Sequence, residues 1–202
     1  DLRTSRGLGD VYKRQLFKHM HKKLLIILSI FSLLLTSVKS DEIVIKQLKK
    51  GGNIVFIRHA IAPGGGDPEN FRLDDCSTQR NLDSQGIEQS KKMGLFFQQN
   101  NIPIDKVLSS EWCRCKDTAK FAFKDYETFN ALNSFFSSKF EKNKEKQMKD
   151  LNKFLNNWES NKNLILITHY VVILESLNKT VSSGEIVVVD KNLNYIGSVE
   201  KY

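Results

Sequence analysis

The chain of 202 residues contains no apolar run of the roughly 20 residues that a membrane-spanning helix requires. Its longest apolar stretch, Leu24 to Leu35, is shorter and is interrupted by Ser29 and Ser32. The sequence also contains no internal repeat and no low-complexity linker. These absences argue against a membrane-embedded or repeat protein and predict one ordinary domain.

The chain also has little net charge once its first forty residues are set aside. The formal charge is +8, but eight of the 31 Lys and Arg residues and only two of the 23 acidic ones precede residue 41. The remainder carries 23 positive and 21 negative side chains. This near balance gives no argument for nucleic acid binding. A domain over residues 41–202 should bury about 68–70% of its unfolded surface.

The first forty residues are predicted to be a leader rather than part of the domain. His21-Lys22-Lys23 is a basic segment, the apolar stretch follows it, and Val38-Lys39-Ser40 offers a small-residue cleavage site. This pattern predicts a secretory signal peptide over residues 20–40 and a periplasmic or secreted bacterial domain. No cysteine lies directly after the apolar stretch, so no lipid anchor is expected. Membrane attachment would require an uncleaved signal segment.

The residues before Met20 are interpreted as non-native. Residues 10–15 read Asp-Val-Tyr-Lys-Arg-Gln, which resembles the translation of a transposon-end sequencing adapter. Residues 1–19 are therefore left out of the interpretation of the fold.

Histidine and arginine are scarce in residues 41–202, which contain two His and four Arg against nineteen Lys. Arginine makes bidentate contacts with phosphate that the point charge of lysine cannot make. The alternative is that the four arginines share no role. Their positions favour a shared one, since three lie between 58 and 80 and the fourth follows a second predicted strand: Arg58, Arg72, Arg80 and Arg114.

Hydrophobic periodicity and turn residues predict alternating strands and helices. The strands are expected at 53–57, 104–108 and 164–167, with 185–189 and 195–199 as edge or antiparallel strands. The helices are expected at 42–50, from Asp83-Ser84 to about Gln99, at 113–124, through Met148, Leu151, Leu155 and Trp158, and at 170–178. This alternation predicts a three-layer α/β/α sandwich with a mostly parallel sheet.

Three predicted strands end in polar residues that can bind or attack a phosphoryl group. They end at Arg58-His59, Ser109-Ser110 and Thr168-His169, and Arg114 follows the second. The carboxyl ends of parallel strands share one crevice. An imidazole can attack phosphorus, and each charge-assisted hydrogen bond to phosphate is worth about 1.5–3 kcal/mol. The helix that starts near Cys113 could add its N-terminal dipole.

These motifs, in this order, resemble those of the histidine phosphatase (phosphoglycerate mutase-like) superfamily over residues 53–190. The resemblance implies that His59 is a nucleophile forming a phosphohistidine. It further implies that Arg58 and Arg114 bind phosphate and that His169 contacts the transferring group. It implies no metal or cofactor, and the family alone does not give the substrate. The long loop over residues 58–80 and the signal peptide suit a small phosphorylated substrate. The motifs are Arg58-His59-Ala60, Asn81 to Ser90, Leu108 to Arg114, Thr118-Ala119 and Thr168-His169.

The sequence departs from the superfamily pattern mainly in its general acid. Ala60 replaces the usual glycine, while residues 131–136 and the position after His169 carry no acid. A leaving alkoxide needs a proton. The acidic loop from Asp67 to Asp75 is the nearest supply, with Asp75 or Asp74 favoured, and Glu185 on a later strand is another. A loop carboxylate is, however, more often solvated or a cap than a proton donor.

The three cysteines, Cys76, Cys113 and Cys115, leave several arrangements open. Export would favour a disulfide from Cys76 to Cys113 or Cys115, leaving one thiol free. A metal site formed by all three is the alternative, although a C-x-C spacing is not a usual zinc pattern. Buried free thiols are a third arrangement.

Three functions are compatible with these residues. The first is an exported phosphomonoesterase for a small or sugar phosphate, such as one on a cell-envelope glycan. The second is a protein phosphohistidine phosphatase, whose imidazole leaving group suits the missing acid, although export argues against it. The third is a non-catalytic protein that binds a phosphorylated ligand, which leaves His59 unexplained.

Overall fold

The structure is a computed structural model that describes Phe17 and residues 42–202. Apart from Phe17, the predicted adapter-derived segment and signal peptide lie outside the described residues. None of the helices in the described part of the chain is long and apolar enough to cross a membrane. Ile43–Tyr202 form one compact unit.

Capping residues mark the ends of two of the helices. Asp83 caps one helix by accepting a hydrogen bond from the Gly86 amide at 2.8 Å. Asn178 ends another in the left-handed conformation, with φ of 51°. The helices are α1 (42–50), α2 (Ser84–Gln99), α3 (Cys113–Phe123), α4 (Ser138–Glu141), α5 (Lys144–Asn156) and α6 (Tyr170–Leu177), with 3-10 turns at Cys76–Thr78 and Asn130–Leu132.

The sheet has six strands in the order β3-β2-β4-β1-β5-β6. Strands β3, β2, β4 and β1 are parallel to one another, β5 pairs antiparallel with β1, and β6 pairs antiparallel with β5 at the edge of the sheet. This arrangement confirms the predicted, mostly parallel sheet. The strands are β1 (Ile54–Arg58), β2 (Ile104–Ser109), β3 (Glu127–Thr128), β4 (Asn163–Thr168), β5 (Ile186–Val189) and β6 (Tyr195–Val199).

Apolar side chains cover both faces of the sheet, as alternation along a strand requires. In β1, Val55 and Ile57 join a core with α1, α2 and α3, while Ile54 and Phe56 join a second core with α5 and α6. All four side chains are fully buried. The three-layer α/β/α prediction is confirmed.

Two glycines let α2 approach neighbouring backbone closely. A Cβ at Gly86 would overlap the carbonyl oxygen of Ile61, and one at Gly94 would overlap that of Ala122 in α3. Gly86 therefore sets the distance between α2 and the segment that follows β1. This segment begins with His59.

Candidate active site

A cavity of about 380 Å³ opens at the carboxyl ends of β1 and β4. It contains four of the residues that the sequence proposed, namely Arg58, His59, Arg114 and His169. Its other lining residues come mainly from the loop after β1 and from the segment around α4. They are Gly64, Gly65, Gly66, Asp67, Arg80, Trp112, Ser134, Phe136, Ser137, Phe140, Tyr170 and Val171.

His59 lies buried at the end of β1, with 2% of its surface exposed. Its backbone amide donates to the carbonyl of Thr168 at 2.9 Å, which ties it to the neighbouring strand. Its Nδ1 lies 2.8 Å from the carbonyl oxygen of Ala60. Because a carbonyl only accepts, Nδ1 carries the hydrogen and Nε2 keeps its lone pair. Nε2 accepts a hydrogen bond from Nε of Arg114 at 3.3 Å.

The surroundings of His59 keep its imidazole neutral. Burial, followed by the charge of Arg114, lowers the pKa of His59 well below its ordinary value, and Arg80 and Arg58 contribute in the same direction. The hydrogen bond to Ala60 opposes these effects without overcoming them. A neutral imidazole with a free Nε2 lone pair is the form that can act as a nucleophile.

His169 is held by a chain of hydrogen bonds that begins at Asn133. The Ser110 hydroxyl donates to Oδ1 of Asn133 at 3.0 Å, so it must accept from Nε2 of His169, which lies 2.9 Å away. Asn133 is in turn oriented by Glu111, whose amide and carboxylate both bind it. The second ring nitrogen of His169, Nδ1, lies 3.5 Å from Arg114, and the His59 and His169 ring centroids are 5.5 Å apart. Burial and then Arg114 lower the pKa of His169 as well.

Arg114 links both histidines to Asp67, a carboxylate of the acidic loop that the sequence did not single out. Its NH1 and NH2 groups donate to the two oxygens of Asp67 at 2.7 and 3.2 Å. The Arg114 side chain is 4% exposed and that of Asp67 is 16% exposed. The guanidinium therefore faces the imidazoles with one edge and a nearly buried carboxylate with another.

Two further arginines line the cavity. Arg58 donates from NH1 to the carbonyl of Val181 at 2.8 Å, while its buried Nε has no partner among the described residues. Arg80 donates from Nε to the Gly66 carbonyl at 2.9 Å and from NH1 to the Ala62 carbonyl. Arg72 lies elsewhere, exposed and paired with Asp74. Three of the four arginines thus share the site.

The structure does not bring the acids proposed from the sequence into the cavity. Asp75 caps the 3-10 turn, where it accepts from the amide of Ser77 at 3.0 Å and from its hydroxyl at 2.7 Å. Asp74 pairs with Arg72 at the surface, and buried Glu185 accepts from the amide of Ser182 at 2.8 Å. Of the described residues that line the cavity, Asp67 is the one carboxylate. A sequence signal was present in Gly64-Gly65-Gly66, directly before Asp67.

The cysteines link the loop after β1 to the start of α3. Cys76 forms a disulfide with Cys113, with their Cα atoms 5.7 Å apart. Cys115 is the free thiol; it is buried, its sulfur lies 3.5 Å from Nε2 of His169, and burial raises its pKa to about 12. The Cys113 amide at the start of α3 already donates to Gln79. Nowhere in the described residues do three His, Cys, Asp or Glu side chains gather as a metal site would require.

Comparisons with known proteins find similarity in structure but not in sequence. No protein-family model and no curated protein matches the chain. Three solved structures each align with 74% of this chain and 99% of their own. They are TTHB049 of Thermus thermophilus (14% identity, TM-score 0.54), SixA of Agrobacterium tumefaciens, a candidate phosphohistidine phosphatase (17%, 0.51), and phosphoglycerate mutase of Thermus thermophilus (15%, 0.50). The chain therefore has the phosphoglycerate mutase-like fold, as its motifs predicted.

Proposed function

We propose that this protein is a phosphatase that hydrolyses a phosphomonoester through a phosphohistidine on His59. The observation that carries the proposal is the state of the His59 ring. Its Nδ1 is occupied by a carbonyl, its Nε2 lone pair is directed at a guanidinium, and burial holds it neutral. A purely structural histidine would not need three arginines around its cavity.

The geometry suits transfer of a phosphoryl group to Nε2. Arg114, Arg80 and Arg58 supply guanidinium charge for the phosphoryl oxygens, as charge-assisted hydrogen bonds require. His169 adds a second imidazole beside them. Nε2 of His59 attacks phosphorus as the ester bond breaks, and water then releases inorganic phosphate. Donors fixed in advance around the phosphoryl oxygens stabilise the charge that develops in both steps.

For the substrate, we propose a small phosphate ester outside the cytoplasm, such as a sugar or cell-envelope phosphate. The predicted signal peptide supports the location. A cavity of about 380 Å³ supports a small leaving group. The outer part of the cavity includes the 70% exposed ring of Phe136, which can contact an apolar or ring-shaped group.

A protein phosphohistidine phosphatase is the second candidate function. Its support is the likeness to SixA of Agrobacterium tumefaciens, at 17% identity and a TM-score of 0.51. An imidazole leaving group would also fit beside the aromatic residues at the cavity mouth. Rates measured on a phosphohistidine peptide and on sugar phosphates would distinguish the two functions.

The proposal is tested by assaying the protein and its His59→Ala variant on a panel of phosphomonoesters that includes p-nitrophenyl phosphate. The parent should release phosphate, and the variant should lose this activity while its circular dichroism spectrum stays unchanged. A parent protein inactive on every ester and on phosphohistidine would instead support the non-catalytic binding function. Full activity in the variant would contradict the covalent mechanism.

A further inference from the structure

We propose that Asp67 is the proton donor to the leaving group, and that phosphate binding releases it from Arg114. This inference rests on the proposed phosphatase function, and it supplies the general acid that the sequence pattern lacks. The proposed general acid directly follows the three glycines Gly64-Gly65-Gly66 in the loop after β1.

Asp67 is bound as an anionic ligand of this site would be. Oδ1 accepts from Arg114 NH1 at 2.7 Å and from the amide of Arg80 at 3.3 Å. Oδ2 accepts from Arg114 NH2 at 3.2 Å and from Nε1 of Trp112 at 3.0 Å. These four donors form a receptor for two oxygens of one planar or tetrahedral anion. In this structure the Asp67 carboxylate accepts hydrogen bonds from all four donors.

A substrate phosphoryl group would compete with Asp67 for these donors. To be attacked by His59 it must lie against Nε2, which is already 3.3 Å from the guanidinium of Arg114. A phosphoryl group carries nearly two negative charges, whereas a carboxylate carries one, so the guanidinium favours phosphate. Binding of phosphate beside Arg114 therefore weakens the hold of Arg114 on Asp67.

The loop is built so that Asp67 can move while remaining at the cavity. Gly64 and Gly66 have φ of +91° and +69°, and a Cβ at Gly65 or Gly66 would meet no described atom within 4 Å. Glycine supplies the backbone freedom that a shift of the next residue needs. Arg80 binds the carbonyls of Ala62 and Gly66, which keeps both ends of the triglycine segment near the site.

Release from Arg114 would also let Asp67 take up a proton from solvent. Burial alone raises the pKa of Asp67, but bonds and charge from Arg114, together with Trp112 and the Arg80 amide, outweigh it and lower that pKa below its ordinary value. The other charged or titratable groups lining the cavity are Arg58, Arg80, His59, His169 and Tyr170. When phosphate occupies Arg114, the lowering effect of Arg114 on the pKa of Asp67 is weakened and a negative charge is added nearby. Both changes favour the protonated acid.

The resulting step is balanced. The lone pair of His59 Nε2 forms the bond to phosphorus, the bond from phosphorus to the ester oxygen breaks, and the Asp67 carboxylic proton passes to that oxygen. The alcohol leaves and Asp67 is a carboxylate again. It then accepts a proton from the water that attacks phosphorus, as the bond from phosphorus to Nε2 breaks and phosphate leaves. Asp67 returns this proton to solvent when it binds Arg114 again.

The test compares Asp67→Asn with the control Glu69→Gln, an exposed carboxylate in the same loop. Asp67→Asn should cut turnover of an alkyl phosphate by roughly 100-fold or more, since acid catalysis typically contributes about 10²–10⁴-fold. Turnover of p-nitrophenyl phosphate, whose leaving group needs no proton, should fall less than about tenfold. Vanadate should inhibit Asp67→Asn more tightly than the parent, because a charged competitor for Arg114 is gone. Glu69→Gln should match the parent in all three measurements.

Equal losses on both substrates, with weaker vanadate inhibition, would overturn the inference and make Asp67 a residue that only orients Arg114. Asp67→Glu keeps an acid on a longer side chain, so it should recover part of the alkyl phosphate activity; no recovery in a folded Asp67→Glu protein would also count against Asp67. If the parent protein becomes phosphorylated on His59 and hydrolyses both substrates, the proposed function stands whatever these variants do. A parent that hydrolyses neither overturns both proposals.

Discussion

The chemistry proposed for His59 depends on which ring nitrogen is free to react. The Ala60 carbonyl fixes the hydrogen on Nδ1 and leaves Nε2 as the nucleophile. Arg114 then acts on the same ring in two ways, through a hydrogen bond to Nε2 and through its charge. Both effects oppose protonation of the imidazole. A cation beside the proposed nucleophile thus keeps its imidazole unprotonated in mildly acidic solution.

The ring of His59 should stay neutral well below pH 6.5, the ordinary pKa of an imidazole. The NMR chemical shifts of the carbon-bound ring protons of His59, followed as the pH is lowered, should show no titration step near pH 6.5. Arg114→Gln removes a cation that lowers the pKa of His59, so the step should move upward in that variant. The matched control Arg72→Gln, at an exposed arginine outside the cavity, should leave it unchanged. A parent midpoint near 6.5 would contradict this description of the site.

Arg114→Lys should separate positive charge from planar geometry. Lysine keeps the charge but cannot donate two parallel hydrogen bonds, so one charge-assisted bond worth about 1.5–3 kcal/mol is lost. The inhibition constant of vanadate should therefore rise by roughly 10- to 100-fold. Arg72→Lys is the control, since Arg72 pairs with Asp74 at the surface. Unchanged vanadate inhibition in Arg114→Lys would place Arg114 outside the phosphate site.

The sequence located the arginines and histidines of the site better than its carboxylate. Arg58, His59, Arg114 and His169 lie at or shortly after the ends of strands, and the geometry of a parallel sheet brings such positions together. Asp67 and Asp75 lie in one irregular loop. Such a loop has no periodic pattern of buried positions, so the sequence does not indicate which carboxylate faces the cavity. The loop acid chosen from the sequence, Asp75, is a cap, which is the commoner role for such a residue.

The backbone that follows β1 is held by three separate elements. The His59 amide binds Thr168 of β4, the Ala60 amide binds the hydroxyl of Thr118 in α3, and the Ile61 amide binds Gln89 in α2, the last two at 3.0 Å. The position of the nucleophile thus depends on how α2 and α3 pack against the sheet. Thr118 and Gln89 both lie in the motifs that carried the sequence resemblance.

Gly86→Ala tests this dependence, with Gly94→Ala as its matched control on the same helix. Each substitution places a Cβ against a carbonyl oxygen, of Ile61 and Ala122 respectively, and each should cost about 1–3 kcal/mol of unfolding free energy in urea. Gly86→Ala pushes directly on Ile61, two residues after His59, whereas Gly94→Ala acts at Ala122 near the end of α3, one turn beyond Thr118. Gly86→Ala should therefore lose more kcat at a temperature where both are folded. Equal kcat values for the two folded variants would show that α2 does not position the nucleophile.

Most of the elements could be predicted from the sequence because their apolar periodicity is strong. The predicted strand and helix ends differ from the observed ones by one or two residues, as in β1, predicted at 53–57 and observed at Ile54–Arg58. Trp158 lies beyond the end of α5, although it packs in the same core. The two-residue β3 and the four-residue α4 were not predicted, since segments that short carry no periodicity.

The domain as a whole buries two imidazoles whose pKa values are lowered. In the unfolded chain these groups take up protons near pH 6.5, whereas in the folded chain they do so only at lower pH. The unfolded state therefore binds more protons as the pH falls. This difference makes folding stability decrease toward acid.

Unfolding free energy measured in urea should accordingly fall between about pH 7.5 and 5.5, by at most about 1.4 kcal/mol per pH unit for each histidine below its unfolded pKa. The double variant His59→Gln, His169→Gln should show a smaller slope over the same range. Asp67 does not interfere there, since its pKa is already below its ordinary value. An identical slope in the double variant would assign the acid sensitivity to other groups.

The fold, the paired imidazoles and the cluster of arginines all point to a covalent phosphoryl intermediate, which can be observed directly. The protein is mixed with a radiolabelled phosphomonoester, quenched in alkali, where phosphohistidine survives, and the labelled peptide is sequenced by mass spectrometry. One phosphoryl group should be found on His59, none on His169, and no label should remain in His59→Ala. Turnover of the ester without label on His59, or with label on another residue, would contradict the account.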